Sequence, residues 1–149
     1  MNNKYRITSD TIAIFPMYDS VYQSSILESY QTVIKKEKPL DIIKENCLHY
    51  GSSYQGRKAS IQHHLDFYQK SPIPIQPTQK LYAFPSQSAR SSDCIWLFFH
   101  AIKHIERKQQ LTAIRFTNGE VVKIATSLHT IQKQYDRTGM IKVLLEQLM

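Results

Sequence analysis

The stretch Tyr50-Gly51-Ser52-Ser53-Tyr54-Gln55-Gly56-Arg57-Lys58-Ala59 constrains this chain most, because it reads as the end of one helix and the start of another. Upstream, Pro39 suits a first helical turn, and Leu40, Ile43, Cys47 and Tyr50 recur at helical spacing. Gly51 then supplies a stop, since glycine takes the left-handed conformation without steric penalty. Ser52 or Ser53 can cap a second helix with a buried stripe of Tyr54, Ile61, Leu65 and Tyr68. Gly56 is a weak point inside that helix, costing about 1 kcal/mol relative to alanine. A helix pair joined so tightly also invites comparison of residues 39–69 with a helix-turn-helix, whose recognition helix would open on Gln55, Arg57 and Lys58.

The same residues have the composition of a phosphate site. Glycines at 51 and 56 admit close backbone approach, Ser52 and Ser53 add donors, and Arg57 and Lys58 bring charge. A nucleotide-binding P-loop is a near miss. Arg57 stands where its lysine belongs, Lys58 where the magnesium-binding hydroxyl belongs, and the upstream spacing is helical where a strand is needed. A nucleic-acid backbone remains as the functional reading, beside a plain helix cap that binds nothing.

Outside this region most signals are of strands. Tyr5–Thr8 and Thr11–Phe15 flank Ser9-Asp10 and read as a hairpin. Tyr22, Ser24, Ile26 and Tyr30, Thr32, Ile34 mark two further strands, with Val33 on the other face. Pro72, Pro74 and Pro77 keep the next stretch extended up to a strand at Leu81–Phe84. Pro85 opens a loop, Ser86 to Asp93, whose only apolar residue is Ala89. Cys94–Phe99 reads as a strand buried on both faces. Asn118-Gly119 predicts a type I′ hairpin between Ile114–Phe116 and Val121–Ile124. Ser127 can cap a C-terminal helix, in which Gly139 offers a point of division before Met140 to Leu148. Strands, helices, strands and a helix in that order give an α+β fold: a mainly antiparallel sheet, a central helix pair and a C-terminal helix, as a single domain over residues 1–149.

Charge narrows the partner. Lys and Arg number 19 against 12 Asp and Glu, a net charge of +7, which suits an acidic partner. Residues 1–50 carry six cations and six anions, whereas residues 51–108 carry eight cations and three anions, so the excess begins with the Gly-Ser motif. Arg90, alone in the serine-rich loop, can enter a narrow DNA minor groove, where negative potential is enhanced. Cys47 and Cys94 sit among apolar neighbours and read as reduced, buried thiols. Residues 1–7 have no apolar leader, and the longest apolar run, Ile95–Phe99, is too short to span a bilayer, so a soluble cytoplasmic protein without membrane partners is expected. Cys47 with His49, His63-His64, and Cys94 with His100 and His104 lack metal-site spacing, and no nucleophile elbow occurs. Catalysis, a metal and a cofactor are therefore not expected.

Lys38-Pro39-Leu40-Asp41-Ile42-Ile43, Cys47 and the Tyr50–Ala59 string closely resemble the signature region of ComK-type competence transcription factors. Thr11–Ile14, Phe84-Pro85 with the Arg90 loop, Cys94-x-Trp96, Phe116–Gly119 and Arg137-Thr138 occur in the family's order, so the resemblance spans most of the chain. It implies an oligomeric, nucleoid-associated activator of DNA-uptake genes in low-GC Gram-positive bacteria. Such a protein would bind double-stranded DNA at paired A/T-rich boxes through the minor groove and be limited by a proteolytic adaptor. DNA binding carries over onto Gly51, Ser52, Ser53, Gly56, Arg57 and Lys58, with Arg90 and Arg115 as weaker candidates. In that picture backbone amides around residues 51–56, with Ser52, Ser53 and Lys58, hold phosphates while Arg57 or Arg90 probes the groove. Longer members continue past the Arg-Thr region into a tail tied to adaptor recognition and activation, whereas this chain stops at Met149. The alternative expectation is thus a ComK-like interaction module that pairs with a full-length partner, or occupies its adaptor, without productive DNA binding.

Overall fold

Three N-terminal strands lie side by side. In the computed structural model, which describes residues 4–149, these are β1 (Thr11–Pro16), β2 (Ser24–Glu28) and β3 (Thr32–Lys35). The reading of the N-terminus as leaderless drew in part on residues 1–3, which lie outside the described residues. Helices α1 (Pro39–His49) and α2 (Tyr54–Leu65) follow, then β4 (Ile73–Gln76), β5 (Leu81–Pro85) and β6 (Trp96–Phe98). These six strands form one antiparallel sheet in the order β3-β2-β1-β6-β5-β4. A second antiparallel sheet holds β7 (Ile102–Lys108), β8 (Leu111–Phe116) and β9 (Val121–Ile124), and α3 (Leu128–Leu148) closes the chain. The α+β class, the antiparallel pairing, the helix pair and the C-terminal helix are as the sequence predicts.

The main core runs between the sheets and α1, with Trp96, Phe84, Phe98, Phe116 and Ile43 fully buried. A smaller cluster joins Ile61 of α2, Tyr82 of β5 and Ile141 of α3. Helix α3 packs on β4 and β5 of one sheet and on β7 and β8 of the other, so it ties the two together.

Several local expectations are corrected. Residues 5–8 form no strand, because their backbone bonds to side chains of α1 and its C-cap Tyr50. Asn46 Nδ2 donates to the Tyr5 carbonyl (3.0 Å), the Ile7 amide donates to Asn46 Oδ1 (2.9 Å), and Tyr50 Oη donates to the Ile7 carbonyl (2.7 Å). On β3 it is Val33 that packs on the core, while Ile34 and Tyr30 are exposed. Tyr68 is exposed too, since α2 ends at Leu65 on a left-handed Asp66 (φ 55°) before reaching it. The proline stretch contributes β4 itself, with Pro74 tolerated because β4 is an edge strand. The Asn118-Gly119 hairpin forms with a three-residue loop rather than a type I′ turn. Only Gly119 (φ 92°) takes positive φ in it, and Phe116 N–H bonds to the Glu120 carbonyl at 2.8 Å. Strand β7 carries Lys103, Glu106, Arg107 and Lys108 and a bulge between Ile102 and His104, which hides its alternation. Gly139 does not divide α3. A Cβ there would stand 3.5 Å from the Phe99 ring, an ordinary contact, within a helix that runs unbroken from Leu128 to Leu148.

Candidate nucleic-acid interface

The Gly-Ser motif folds as two helix caps back to back. Gly51 has φ 88°, and its amide and that of Ser52 return to the carbonyls of Leu48 and Cys47, both at 3.0 Å. Ser53 is the N-cap of α2, its Oγ accepting the Gly56 amide at 2.9 Å, and the Arg57 amide bonds to the Ser53 carbonyl. Gly56 sits tightly against this cap, where a Cβ would come within 2.9 Å of Ser53 Oγ. The amides of Gly51, Ser52, Gly56 and Arg57 are thus engaged inside the chain.

What the motif positions is Tyr54. Its ring is buried at the start of α2, with the ammonium groups of Lys44 from α1 and Lys58 from α2 at 5.7 and 5.5 Å from its centroid. Both lysines line a cleft of about 320 Å³ whose other walls are Gln69, Lys70 and Ser71, after α2, and Ser88 to Arg90 of the serine-rich loop. Lys44, Lys58, Lys70 and Arg90 converge there, and among the described residues no Asp or Glu lines the cleft. Burial raises the Tyr54 phenol above its ordinary pKa, while the positive charge of Arg90 opposes that rise.

The walls are held firmly. Gln134 of α3 donates through Nε2 to the carbonyls of Lys70 (2.7 Å) and Pro85 (2.9 Å), so one side chain ties together the roots of both loops. Arg137 donates to Gln134 Oε1 (2.7 Å) and the Gln69 carbonyl (3.1 Å), and its guanidinium lies 4.2 Å from the centroid of the Phe67 ring. The serine-rich loop is structured by turns: Ser86 and Ile95 exchange hydrogen bonds of 2.8 and 2.9 Å, Ser91 N–H reaches the Ser88 carbonyl, and Ala89 packs on the core.

Of the residues singled out in the sequence, Lys58 and Arg90 meet in this cleft, and Gly51, Ser52, Ser53 and Gly56 shape the junction behind it. Arg57 does not line it. Its Nε is buried without a hydrogen-bond partner among the described residues, and its charge acts on Cys47 and Tyr82. Burial nevertheless pushes the Cys47 thiol up to about 11. Arg115 lies on the second sheet, exposed between His104 and Val121, and takes no part in the cleft. Sequence reasoning missed Lys44 and Lys70. Lys44 carried a local signal, one helical turn from Leu40 on the same face, whereas Lys70 is delivered by contacts from α3.

Fold and cleft together define an α+β protein with a basic concavity suited to a polyanion. The family model described as "ComK protein" matches residues 2–149, and the chain belongs to the ComK family. A relative named "Competence transcription factor", from Bacillus subtilis (strain 168), is 29% identical over 140 residues, covering 93% of this chain and 73% of its own length. No solved structure matches the chain. Among the described residues no group of His, Cys, Asp and Glu is placed to hold a metal ion, and no helix is long and apolar enough to cross a membrane.

Proposed function

We propose that this protein regulates transcription of competence genes by binding duplex DNA, with the Lys44–Lys58–Lys70–Arg90 cleft as its principal contact. The observation that carries this reading is the convergence of four cations from separate segments without a carboxylate among them. Phosphate neutralisation supplies affinity, and each engaged cation releases a counterion. Tyr54, held between two lysines, gives the cleft a fixed floor, and Arg90 on the loop is placed to probe a narrow minor groove. Activation at A/T-rich boxes, by modules that pair in register with two boxes, is the finer form of the proposal. Arg115 and its sheet offer a second, separate contact.

Fluorescence anisotropy with A-tract duplexes, and with scrambled duplexes of equal length at fixed salt, tests this. Preference for A-tracts, a steep fall in affinity with salt, and competition by a minor-groove ligand are expected. Lys58→Ala and Lys70→Ala should each weaken binding and lower the salt slope by about one, while surface substitutions of this kind shift stability by about 0.5 kcal/mol at most. Equal affinity for both duplexes would reduce the interaction to nonspecific electrostatics. A folded protein with no DNA affinity at low salt would favour the interaction-module alternative.

A further inference from the structure

Arg90 stands between two clefts. The basic cleft lies on one side of the serine-rich loop, and a second, of about 420 Å³, lies on the other, with Lys38, Asp41, Ser91 and Ser92 in its walls. Leu40, Ala89 and Arg90 line both, so the loop is a ridge with a trough along each flank. The ridge is slim, since residues 86–92 are serines apart from Gln87, Ala89 and Arg90. It is also stiff. Ser91 N–H closes a turn on the Ser88 carbonyl at 3.0 Å, and Cys94 N–H returns to the Ser91 carbonyl at 3.2 Å. The two central residues of that turn point opposite ways: Ala89 packs on the core, and Arg90 is exposed. Asp93, the loop's one carboxylate, accepts a hydrogen bond from Tyr18 Oη, and among the described residues Arg90 makes no salt bridge. A cation is thus held at the apex of a narrow ridge without a counter-charge.

The relief of a duplex is the complement of this shape. Its minor groove, about 6 Å wide and narrower in A-tracts, runs between two raised sugar–phosphate strands. We propose that the Arg90 loop enters the minor groove as a wedge, and that the second cleft receives the strand opposite the one held in the basic cleft. The wedge rests on the DNA reading proposed above, and it gives the second cleft a ligand, the backbone of one particular strand. The two flanks are unequal. Lys44, Lys58 and Lys70 meet the first strand with no carboxylate in their cleft among the described residues, whereas Lys38 meets the second beside Asp41. The Asp41 carboxylate repels a phosphate on that side, so the first strand is gripped more tightly. Specificity then comes from the slimness of the ridge and the charge at its apex, because only a narrow, strongly negative groove suits both.

Fluorescence anisotropy with an A-tract duplex carrying one neutral methylphosphonate at a time shows which phosphates bind. The expected footprint has two clusters, one on each strand, displaced from one another in the 3′ direction as phosphates facing across a minor groove are. Lys58→Ala should erase the cluster on one strand and Lys38→Ala the cluster on the other, each lowering the salt slope by about one. Lys38→Ala should weaken binding several-fold but less than Lys58→Ala, and Asp41→Asn should tighten it. Ser92→Phe thickens the ridge without changing its charge, and should cost most of the preference for A-tract over scrambled duplex. Circular dichroism and the emission of Trp96, the sole tryptophan, establish that each variant is folded. A footprint on one strand only, a 5′ displacement as across the major groove, indifference to both Lys38→Ala and Asp41→Asn, or an unchanged A-tract preference in Ser92→Phe would overturn the wedge and leave DNA binding in place. A folded protein with no DNA affinity at low salt would overturn the wedge together with the DNA reading.

Discussion

Asn46 shows how much one buried amide can organise. It is wholly buried and serves the Ile7 amide and the Tyr5 and Ile42 carbonyls, so α1 takes the part that a partner strand would have played for residues 5–7. Asn46→Ala leaves the buried Ile7 amide unmet and takes the Asn46 donor from the Tyr5 carbonyl, and is expected to cost about 3 kcal/mol in urea unfolding, since each unmet buried group costs about 1–3 kcal/mol. A loss below about 0.5 kcal/mol, the range of ordinary surface changes, would mean that water or a shifted segment replaces it. His100 makes a second residue-scale claim. Burial lowers its pKa, with its Nε2 bonded to the Ser9 carbonyl at 3.0 Å, so the folded state holds the ring neutral. As pH falls through the ordinary histidine value of about 6.5, the unfolded chain binds a proton that the folded one refuses. Stability is therefore lost as pH falls from neutrality through about 6.5, and His100→Gln should make that loss smaller. Urea midpoints of both proteins across this range check it, and parallel pH profiles would refute the assignment.

At the scale of elements, two glycines in helices have opposite reasons to be there. Gly139 lies within α3, and an added Cβ would make ordinary contact with Phe99, so Gly139→Ala should stabilise the protein by up to about 1 kcal/mol through helix propensity. Gly56→Ala brings the same propensity gain but drives a Cβ to 2.9 Å from the Ser53 cap oxygen, and loss of a serine cap costs about 1 kcal/mol. It should be neutral or destabilising, and thermal unfolding of the two variants should differ in sign or size accordingly. The contrast also shows what the sequence could convey. The Pro39 start, the Gly51 stop, the Ser53 and Ser127 caps and the Asn118-Gly119 hairpin were legible because the residues that decide them are neighbours. The N-terminal hairpin was misread because Asn46, far along the chain, supplies the bonds, and β7 was missed because its exposed face and bulge erase the alternation. Within the candidate site Lys58 and Arg90 were legible as cations. Their meeting with Lys44 and Lys70 was not, since no local pattern encodes it.

Across the whole molecule, α3 links the two sheets and also braces the basic cleft from behind. Gln134 and Arg137 touch no cleft surface themselves, yet between them they hold the Gln69 and Lys70 carbonyls, the Pro85 carbonyl and the Phe67 ring. The Arg137-Thr138 pair is thereby explained structurally: Thr138 Oγ1 donates to the Gln134 carbonyl at 2.6 Å, and Arg137 fixes Gln134 Oε1 from outside. Lys70 sits in the left-handed region (φ 52°), a conformation a lysine keeps only while its surroundings enforce it. Arg137→Ala removes the clamp on Gln69 and the cation over Phe67, so residues 67–71 should loosen and the Lys70 ammonium should leave the cleft. DNA affinity is then expected to fall by a factor of about 5 to 10, the share of one phosphate contact and the ordering of its loop. Hydrogen exchange at Gln69–Ser71 should accelerate while α1 and the six-stranded sheet stay protected. The combination with Lys70→Ala decides between a bracing role and a direct one: if Arg137 acts only through Lys70, the double variant binds DNA no worse than Lys70→Ala alone, and an additive loss would place Arg137 on the DNA itself.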